Sequence, residues 1–512
     1  MNTFVLKIGS LCDRLRVTFT RPSVTLATLL ILAITATLPR SPADPDLFAR
    51  VAMGRLVQTT GRVPMVDPFA FSPTLPIWVD HEWLSGVVFW SIASRWGDGG
   101  LILLKVALIC LTTILIVRTT RVAASGTALN LFFLVICLGQ GVYAWGSTIR
   151  CQTFTYLFLA YQLFALITHR ERGTLRYVLT LPLLSIAWVN LHGGYALGMT
   201  FLWLWTLLSF TEGKRSWPLV GVAALSSAAP FFTPYGFITF LQYLLHALAM
   251  QRPSIAEWDP LWQHPPLFAG VLLLIGAIGY GVTRARDYRH NVVPLGMMLY
   301  GLYCGITHLR FVTASVLVCA VFGCRYFNLL VDDARRVFPL RLLRFERVLV
   351  LTGVFVVVMC LVTIARSSTR LATFSLDYSQ YPVAAIQWLR DKGIEGRLLV
   401  DFNNGSFALW RLYPRMTISM DGRYEEVYSA ESERLNSEAL QLGTPESERA
   451  LEILRPTHIL ISAHSDVPQD MSTSWSLIYK DQQYGILGHL SPTAPTPSND
   501  AAPNKDMWSP LF

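Results

Sequence analysis

The segment Pro39-Arg40-Ser41-Pro42-Ala43-Asp44-Pro45-Asp46-Leu47-Phe48 follows directly on an apolar run at residues 22–38. It opens a polar stretch, residues 39–98, that carries a second acidic group at Asp80-His81-Glu82-Trp83 and is closed by another long apolar run. Carboxylates set against a membrane surface are costly, and by default they point to function. Pro42 and Pro45 stiffen the backbone around Asp44 and Asp46, so these side chains are held in place. A carboxylate in such a partly dehydrated setting can act as a general base. The structural alternative is a helix N-cap, which suits Asp46 just ahead of the apolar-periodic stretch 47–58.

Composition sets the frame for that loop. Of the 512 residues, 53% are hydrophobic and only 15% charged, with a mean hydropathy of +0.43. Soluble domains carry about 25% charged residues, so the chain reads as an integral membrane protein with a smaller soluble part. The formal charge of +9 is unevenly spread: from residue 371 onward there are 11 Lys and Arg against 18 Asp and Glu. That leaves the excess of positive charge in short loops between apolar runs, a pattern of topology signals that argues against a nucleic-acid partner. The eight cysteines lie in or beside apolar segments and form no Cys-x-x-Cys pair, which supports neither a zinc site nor a disulfide framework.

Eleven apolar runs approach the roughly 17–25 residues that cross a bilayer: about 22–38, 99–118, 126–146, 151–168, 177–191, 194–211, 218–235, 267–283, 292–307, 311–330 and 348–366. The pair at 177–211 can also be read as broken around His192-Gly193-Gly194. The first run follows Lys7, Arg14, Arg16 and Arg21, and Pro39-Arg40-Ser41-Pro42 is a poor cleavage context, so it reads as a retained signal anchor. With the N-terminus in the cytoplasm, every inside loop is basic: Arg118/Arg121, Arg170/Arg172/Arg176, Lys214/Arg215, Arg284/Arg286/Arg289 and Arg335/Arg336/Arg341/Arg344/Arg347. Residues 39–98, 236–266 and everything after about 367 then lie outside. Residues 83–96, with tryptophans near both ends, suit a helix lying in the interface. Residues 47–58 read as an amphipathic helix whose polar face holds Arg50, Arg55 and Gln58.

Beyond residue 371 the pattern changes. Helix-like segments at 383–392, 407–412 and 444–455 alternate with strands at 397–401, 416–420 and 458–462, followed by a hairpin at 476–479 and 485–489. The expected architecture is an α-helical multi-pass membrane domain (1–370, with the outer loop 39–98), a small extracytoplasmic α/β domain (371–490) and a disordered tail (491–512), in the inner (plasma) membrane.

With the topology assigned, polar residues collect at the outer ends of the spans, while the inner side offers little besides arginine-rich loops. This clustering on one leaflet argues for one site there. Asp80 and Glu82 offer a second acid or the cap of the following helix. Lys105 either snorkels to the headgroups or turns inward to a phosphate. Arg150 and Arg310 each start a span and suit either a membrane anchor or a bidentate phosphate grip. His192 sits beside paired glycines that permit a tight turn or a close approach to a ligand; a packed, hydrogen-bonded histidine is the plainer reading. Glu257 with Trp258 offers a carboxylate and a stacking surface, and His308 precedes Arg310. Asp421-Gly422-Arg423 follows the second soluble strand and reads as a turn closed by a local ion pair. No strong metal spacing and no nucleotide-binding motif is present; a divalent cation is compatible with the acidic loop, but no residue is assigned to a metal.

These residues form a pattern. The Asp-x-Asp pair after the first span, the many spans and the outward α/β domain resemble the GT-C-type glycosyltransferases. Asp44-Pro45-Asp46-Leu47-Phe48, Gly54-Arg55, Gly61-Arg62-Val63-Pro64, Asp67-Pro68-Phe69-Ala70-Phe71 and His81-Glu82-Trp83-Leu84 are similar to a bacterial multi-pass branch near that superfamily. So are Asn190-Leu191-His192-Gly193-Gly194, Thr233-Pro234-Tyr235-Gly236, Glu257-Trp258, His308-Leu309-Arg310-Phe311 and Asp421-Gly422-Arg423. The resemblance spans about residues 22–490. It implies a GT-C-like fold, a polyprenyl-phosphate-linked sugar donor and an inverting transfer, with Asp44 as the catalytic residue and Asp46 second. Lys105, Arg150 and Arg310 would then grip the donor phosphate. The acceptor, whether glycan, lipid or protein, stays open, because no sequon-recognition motif is evident. A polysaccharide polymerase or ligase shares this setting. A transporter would bind near the midplane with internal repeats, which are not found, and a non-catalytic scaffold is a third alternative.

Overall fold

The computed structural model of the protein describes residues 22–37, 43–123, 148–213, 217–249, 255–284, 291–338, 375–465 and 474–490, with a few positions between 348 and 362. The chain divides into two compact units: one of residues 1–41, 102–232 and 251–374, the other of residues 42–101, 233–250 and 375–512. These units cut across a sequence boundary at residue 370, because most of the first polar loop shares a unit with the C-terminal segment.

The helical unit is built around Val312–Val337, whose residues Val312 to Cys324 are all buried. It packs against Val292–Thr307, Pro265–Arg284 and Gln152–Arg172. Small residues permit the close approach: a Cβ added at Gly281 would lie 2.3 Å from the Tyr326 carbonyl oxygen. The apolar stretch at 177–211 is broken, with Leu181–Leu191 ending at His192 and Tyr195–Thr211 starting after Gly194. Among the described residues, three helices are long and apolar enough to cross a membrane: Trp83–Thr120, Pro265–Arg284 and Leu309–Val337. Pro22–Thr37, Leu181–Leu191, Tyr195–Thr211, Trp217–Ser227 and Val292–Thr307 are shorter. The runs expected at 126–146 and, for the most part, 348–366 lie outside the described residues.

The helices expected at 83–96 and 99–118 are both present, and Trp83–Ala123 is broken between them at Gly97, where φ is 58° and ψ −154°. Glycine alone adopts that conformation without a steric penalty. The segment expected as outer loop from 236 holds the helix Gly236–Ala249. At 14 residues it falls short of a span, which is why a length criterion overlooks it.

The second unit is centred on a five-stranded sheet of β1 (Gly396–Leu399), β2 (Met416–Ile418), β3 (His458–Ser462), β4 (Trp475–Lys480) and β5 (Tyr484–His489), in the order β2-β1-β3-β5-β4. The first three are parallel, and β5 is antiparallel to both β3 and β4. The first polar loop adds to the sheet edge: Phe71 donates its N–H to Ile418, and Ile418 donates its own to Phe69. Helix Pro45–Thr60 packs on Phe402–Leu412, with the Phe48 ring edge-on to Tyr381 and Phe407 at 5.0 and 5.1 Å. On its other side it meets the start of Trp83–Ala123 backbone to backbone. A Cβ at Gly54 would lie 2.0 Å from the Gly86 carbonyl oxygen, and one at Gly86 would lie 2.4 Å from that of Arg50. Only glycine fits at either position, and this contact brings Arg50 beside the Asp80-His81-Glu82 turn.

Candidate functional site

Arg50 is the centre of a buried ionic cluster in the sheet-containing unit. Its guanidinium binds Asp80 at 2.5 Å, Glu82 at 2.9 Å and Glu426 at 2.8 Å. All four side chains are at most one-tenth exposed. His81 completes the group, with Nδ1 3.2 Å from Glu426 and Nε2 3.5 Å from Glu82. Tyr243 stacks on its ring and places a hydroxyl 2.8 Å from Nδ1, while the Asp80 N–H donates to the Tyr235 hydroxyl at 3.0 Å. The polar helix face expected to hold Arg50 meets three carboxylates here, and burying a guanidinium is tolerable only with such partners.

The charge balance of this cluster is unusual. Three carboxylates meet one guanidinium, which leaves two negative charges to be offset by protons on the carboxylates or on His81. Burial pushes the Glu426 pKa up to about 7, and the neighbouring Asp80 and Glu82 charges work the same way, although Arg50 and His81 oppose them. Burial works to lower the His81 pKa, but the Glu426 and Glu82 carboxylates outweigh it and hold the imidazole above its usual value. Both groups therefore bind a proton more tightly than usual, and the 3.2 Å contact lets one be shared between them. His81, Glu82 and Glu426 also present ligand atoms within 4.8 Å of one another. One imidazole and two carboxylates suit a divalent cation, and Arg50 engages the same two carboxylates.

Asp44 and Asp46 stand at the N-terminus of Pro45–Thr60. The expected cap at Asp46 is corrected by two residues. Asp44 is the N-cap, its side chain accepting the Asp46 N–H at 3.1 Å, with Pro45 at the first helical position. Proline is suited there because its missing N–H would have no helical partner. Asp44 is buried. Asp46 lies one turn before Arg50 on the same helix face, and its carboxylate approaches the turn after β2: a Cβ on Gly422 would lie 2.8 Å from Asp46 Oδ1. That turn is closed as its sequence suggests, with Arg423 bound to Asp421 at 2.6 Å. Arg423 also reaches Asp67 and lies between the Phe69 and Trp78 rings.

Of the nine residues picked from sequence, Asp44, Asp46 and Glu82 fall in the sheet-containing unit and the other six in the helical unit. Within the helical unit, four form one group. Arg150 pairs with Glu257, the Arg310 guanidinium lies 5.3 Å over the Trp258 ring, and His308 meets that ring edge-on at 5.4 Å. The Leu309 N–H donates to Asp259 at 2.9 Å and ties the two loops together. His192 takes the plainer role: Nδ1 is 2.7 Å from the Thr155 hydroxyl and accepts the Gly194 N–H at 2.9 Å, stitching the helix break. A Cβ at Gly194 would lie 2.3 Å from that hydroxyl, so glycine is required. Lys105 is buried.

Three residues of the Arg50 cluster, namely Arg50, Glu426 and Tyr243, carried no site signal in the sequence, because their partners lie 30 to 376 residues away. Tyr235 was visible as part of Thr233-Pro234-Tyr235-Gly236.

No protein-family model and no curated protein matches this sequence. Solved structures do match. The Archaeoglobus fulgidus oligosaccharyltransferase in its apo form aligns at TM-score 0.59 and 11% identity, over 86% of this chain and 70% of that one. The same organism's oligosaccharyltransferase AglB, in complex with an inhibitory peptide and a dolichol-phosphate, aligns at 0.57 and 12%, over 86% and 69%. ArnT from Cupriavidus metallidurans aligns at 0.54 and 12%, over 90% and 96%. The apolar helices and this likeness mark a membrane protein. The chain shares its fold with these solved structures.

Proposed function

We propose that the protein is an integral-membrane glycosyltransferase that moves a sugar from a polyprenyl-phosphate-type lipid to an acceptor at the outer face of the membrane. The observation that supports this most is the fold likeness, over 86% of the chain, to an oligosaccharyltransferase bound to a dolichol-phosphate. The basic inside loops support a cytoplasmic N-terminus and an outward C-terminal segment.

In this reading Asp44 takes the proton from an acceptor hydroxyl or amine as that atom attacks C1 of the sugar. The C1–O bond to the lipid phosphate breaks, the phosphate leaves with the electron pair, and the configuration at C1 inverts. Capping the helix holds the Asp44 carboxylate in place. Asp46 is the second carboxylate, and Glu82, bound to Arg50, is a positioning residue for the helix face that carries Asp46. Arg310, Arg150 and Lys105 stabilise charge developing on the leaving phosphate, while Trp258 offers a ring face to the sugar and His308 and His192 shape the donor side. The acceptor class is left to experiment.

Membranes containing the protein, supplied with labelled polyprenyl-phosphate sugars, should transfer label to an extractable product with inverted anomeric configuration. Transfer only from nucleotide sugars, or no turnover with any lipid-linked donor, would overturn the reading.

A further inference from the structure

The sheet carries a second candidate site, away from the ionic cluster. From β1 the chain passes through helix Phe402–Leu412 to β2 on one side, whereas β3 lies against the other side of β1. Both neighbours are parallel to β1. Chain connections therefore diverge at the carboxyl ends of β1 and β3, the place where open α/β sheets bind ligands. A cavity of about 450 Å³ opens there, within the size range of small-molecule sites. A neighbouring cavity of about 380 Å³ shares Asp401 and Ser462 with it.

The lining is polar, and its chemistry is specific. Asp401 caps the helix, its carboxylate accepting the Asn403 and Asn404 N–H groups at 3.0 and 3.2 Å and the Asn404 side-chain amide at 2.7 Å. The helix N-terminus thus already holds a negative charge, and among the described residues no Lys or Arg lines either cavity. Phosphates and nucleotides are disfavoured on both counts. What remains is a carboxylate with spare lone pairs, the Asn404 and Gln483 amides, the Ser462 hydroxyl, the His464 imidazole and the Tyr484 ring. The far wall is preorganised: Asp481 accepts the Gln483 and Tyr484 N–H groups at 2.7 and 2.8 Å, and Tyr484 pairs across the sheet with Ser462. A fixed carboxylate, side-chain amides and an aromatic face beside apolar backbone match the hydroxyls and C–H face of a sugar ring.

We propose that this crevice binds a neutral saccharide unit, and that on the transferase reading this unit belongs to the acceptor. Binding itself does not depend on that reading. The test is titration of the full-length protein in detergent with a panel of neutral gluco-, manno- and galacto-oligosaccharides, using UDP and inorganic phosphate as anionic probes and ligand-observed NMR as readout. Wild type should bind at least one neutral oligosaccharide saturably and neither anion. Asp401→Asn, which keeps a capping oxygen, and His464→Ala with Gln483→Ala, at exposed positions, should each weaken binding at least tenfold, while Asp44→Asn binds as wild type. Loss of transfer in Asp44→Asn with binding intact separates the two claims. No saturable binding across the panel, preference for an anion, or unchanged affinity in the crevice variants would overturn this proposal.

Discussion

Two polar groups, one in each unit, treat arginine in opposite ways. In the sheet-containing unit Arg50 is enclosed by Asp80, Glu82 and Glu426, so its charge is spent on holding the helix start, the 80–82 turn and the segment after β2 together. In the helical unit the group around Trp258 has two guanidiniums, Arg150 and Arg310, and one carboxylate partner in Glu257. The first group has excess negative charge and needs a proton. In the second, the described contacts pair Arg150 with one carboxylate and set Arg310 over an aromatic ring. An arginine's role follows from the number of carboxylates that enclose it, and that number is set by residues distant in sequence.

The largest effect should come from breaking the first group. Arg50→Ala leaves three carboxylates buried without compensation and should destabilise the protein by about 3–5 kcal/mol, read as a loss of thermal stability in detergent. Arg50→Lys should recover only part, because one ammonium cannot serve three carboxylates in the geometry of a planar fork. A stable Arg50→Ala would show that the cluster is not structural.

Next comes the second group. Arg310→Gln should keep the fold and raise the KM for a lipid-phosphate donor about tenfold, the loss expected of one charge-assisted contact of about 1.4 kcal/mol. An unfolded Arg310→Gln would erase the contrast between the two arginines.

A third effect concerns protons. Glu426 titrates near 7 when folded against an ordinary value of 4.5, and His81 also lies above its ordinary value. Both groups bind protons more tightly in the folded state. Their contribution to stability is therefore fully present at low pH and is lost as pH rises through their folded values. For Glu426 that window opens near 4.5 and closes past 7. Wild-type stability should fall by on the order of 2 kcal/mol from pH 5 to 8 relative to Glu426→Gln, each pKa unit being worth about 1.4 kcal/mol. Parallel pH profiles for the two proteins would contradict the shared proton. The smallest effect is Gly422→Ala, whose added methyl would press on Asp46 Oδ1 and should lower turnover several-fold with stability little changed.

Local features were legible from sequence in a way that long-range ones were not. The strands at 458–462 and 485–489 emerge as His458–Ser462 and Tyr484–His489, because period-2 alternation and flanking turn residues are local signals. The break at His192-Gly193-Gly194 was visible for the same reason. The pattern at 47–58 places Arg50 on a polar face, and only the fold reveals that its surroundings are carboxylates. The cap shifted from Asp46 to Asp44 because proline takes the first helical position, which a pattern of apolar spacing does not register. Glu426 stands 376 residues from its partner, beyond any motif.

The central claim is that a carboxylate of the first outer loop performs the proton transfer. It is tested most directly by Asp44→Asn, which keeps a capping oxygen and so preserves the helix. Assayed in membranes with labelled polyprenyl-phosphate sugars, this variant should retain wild-type thermal stability and donor binding while transfer falls by about 10²–10⁴. Transfer at the wild-type rate from folded Asp44→Asn protein would contradict the account.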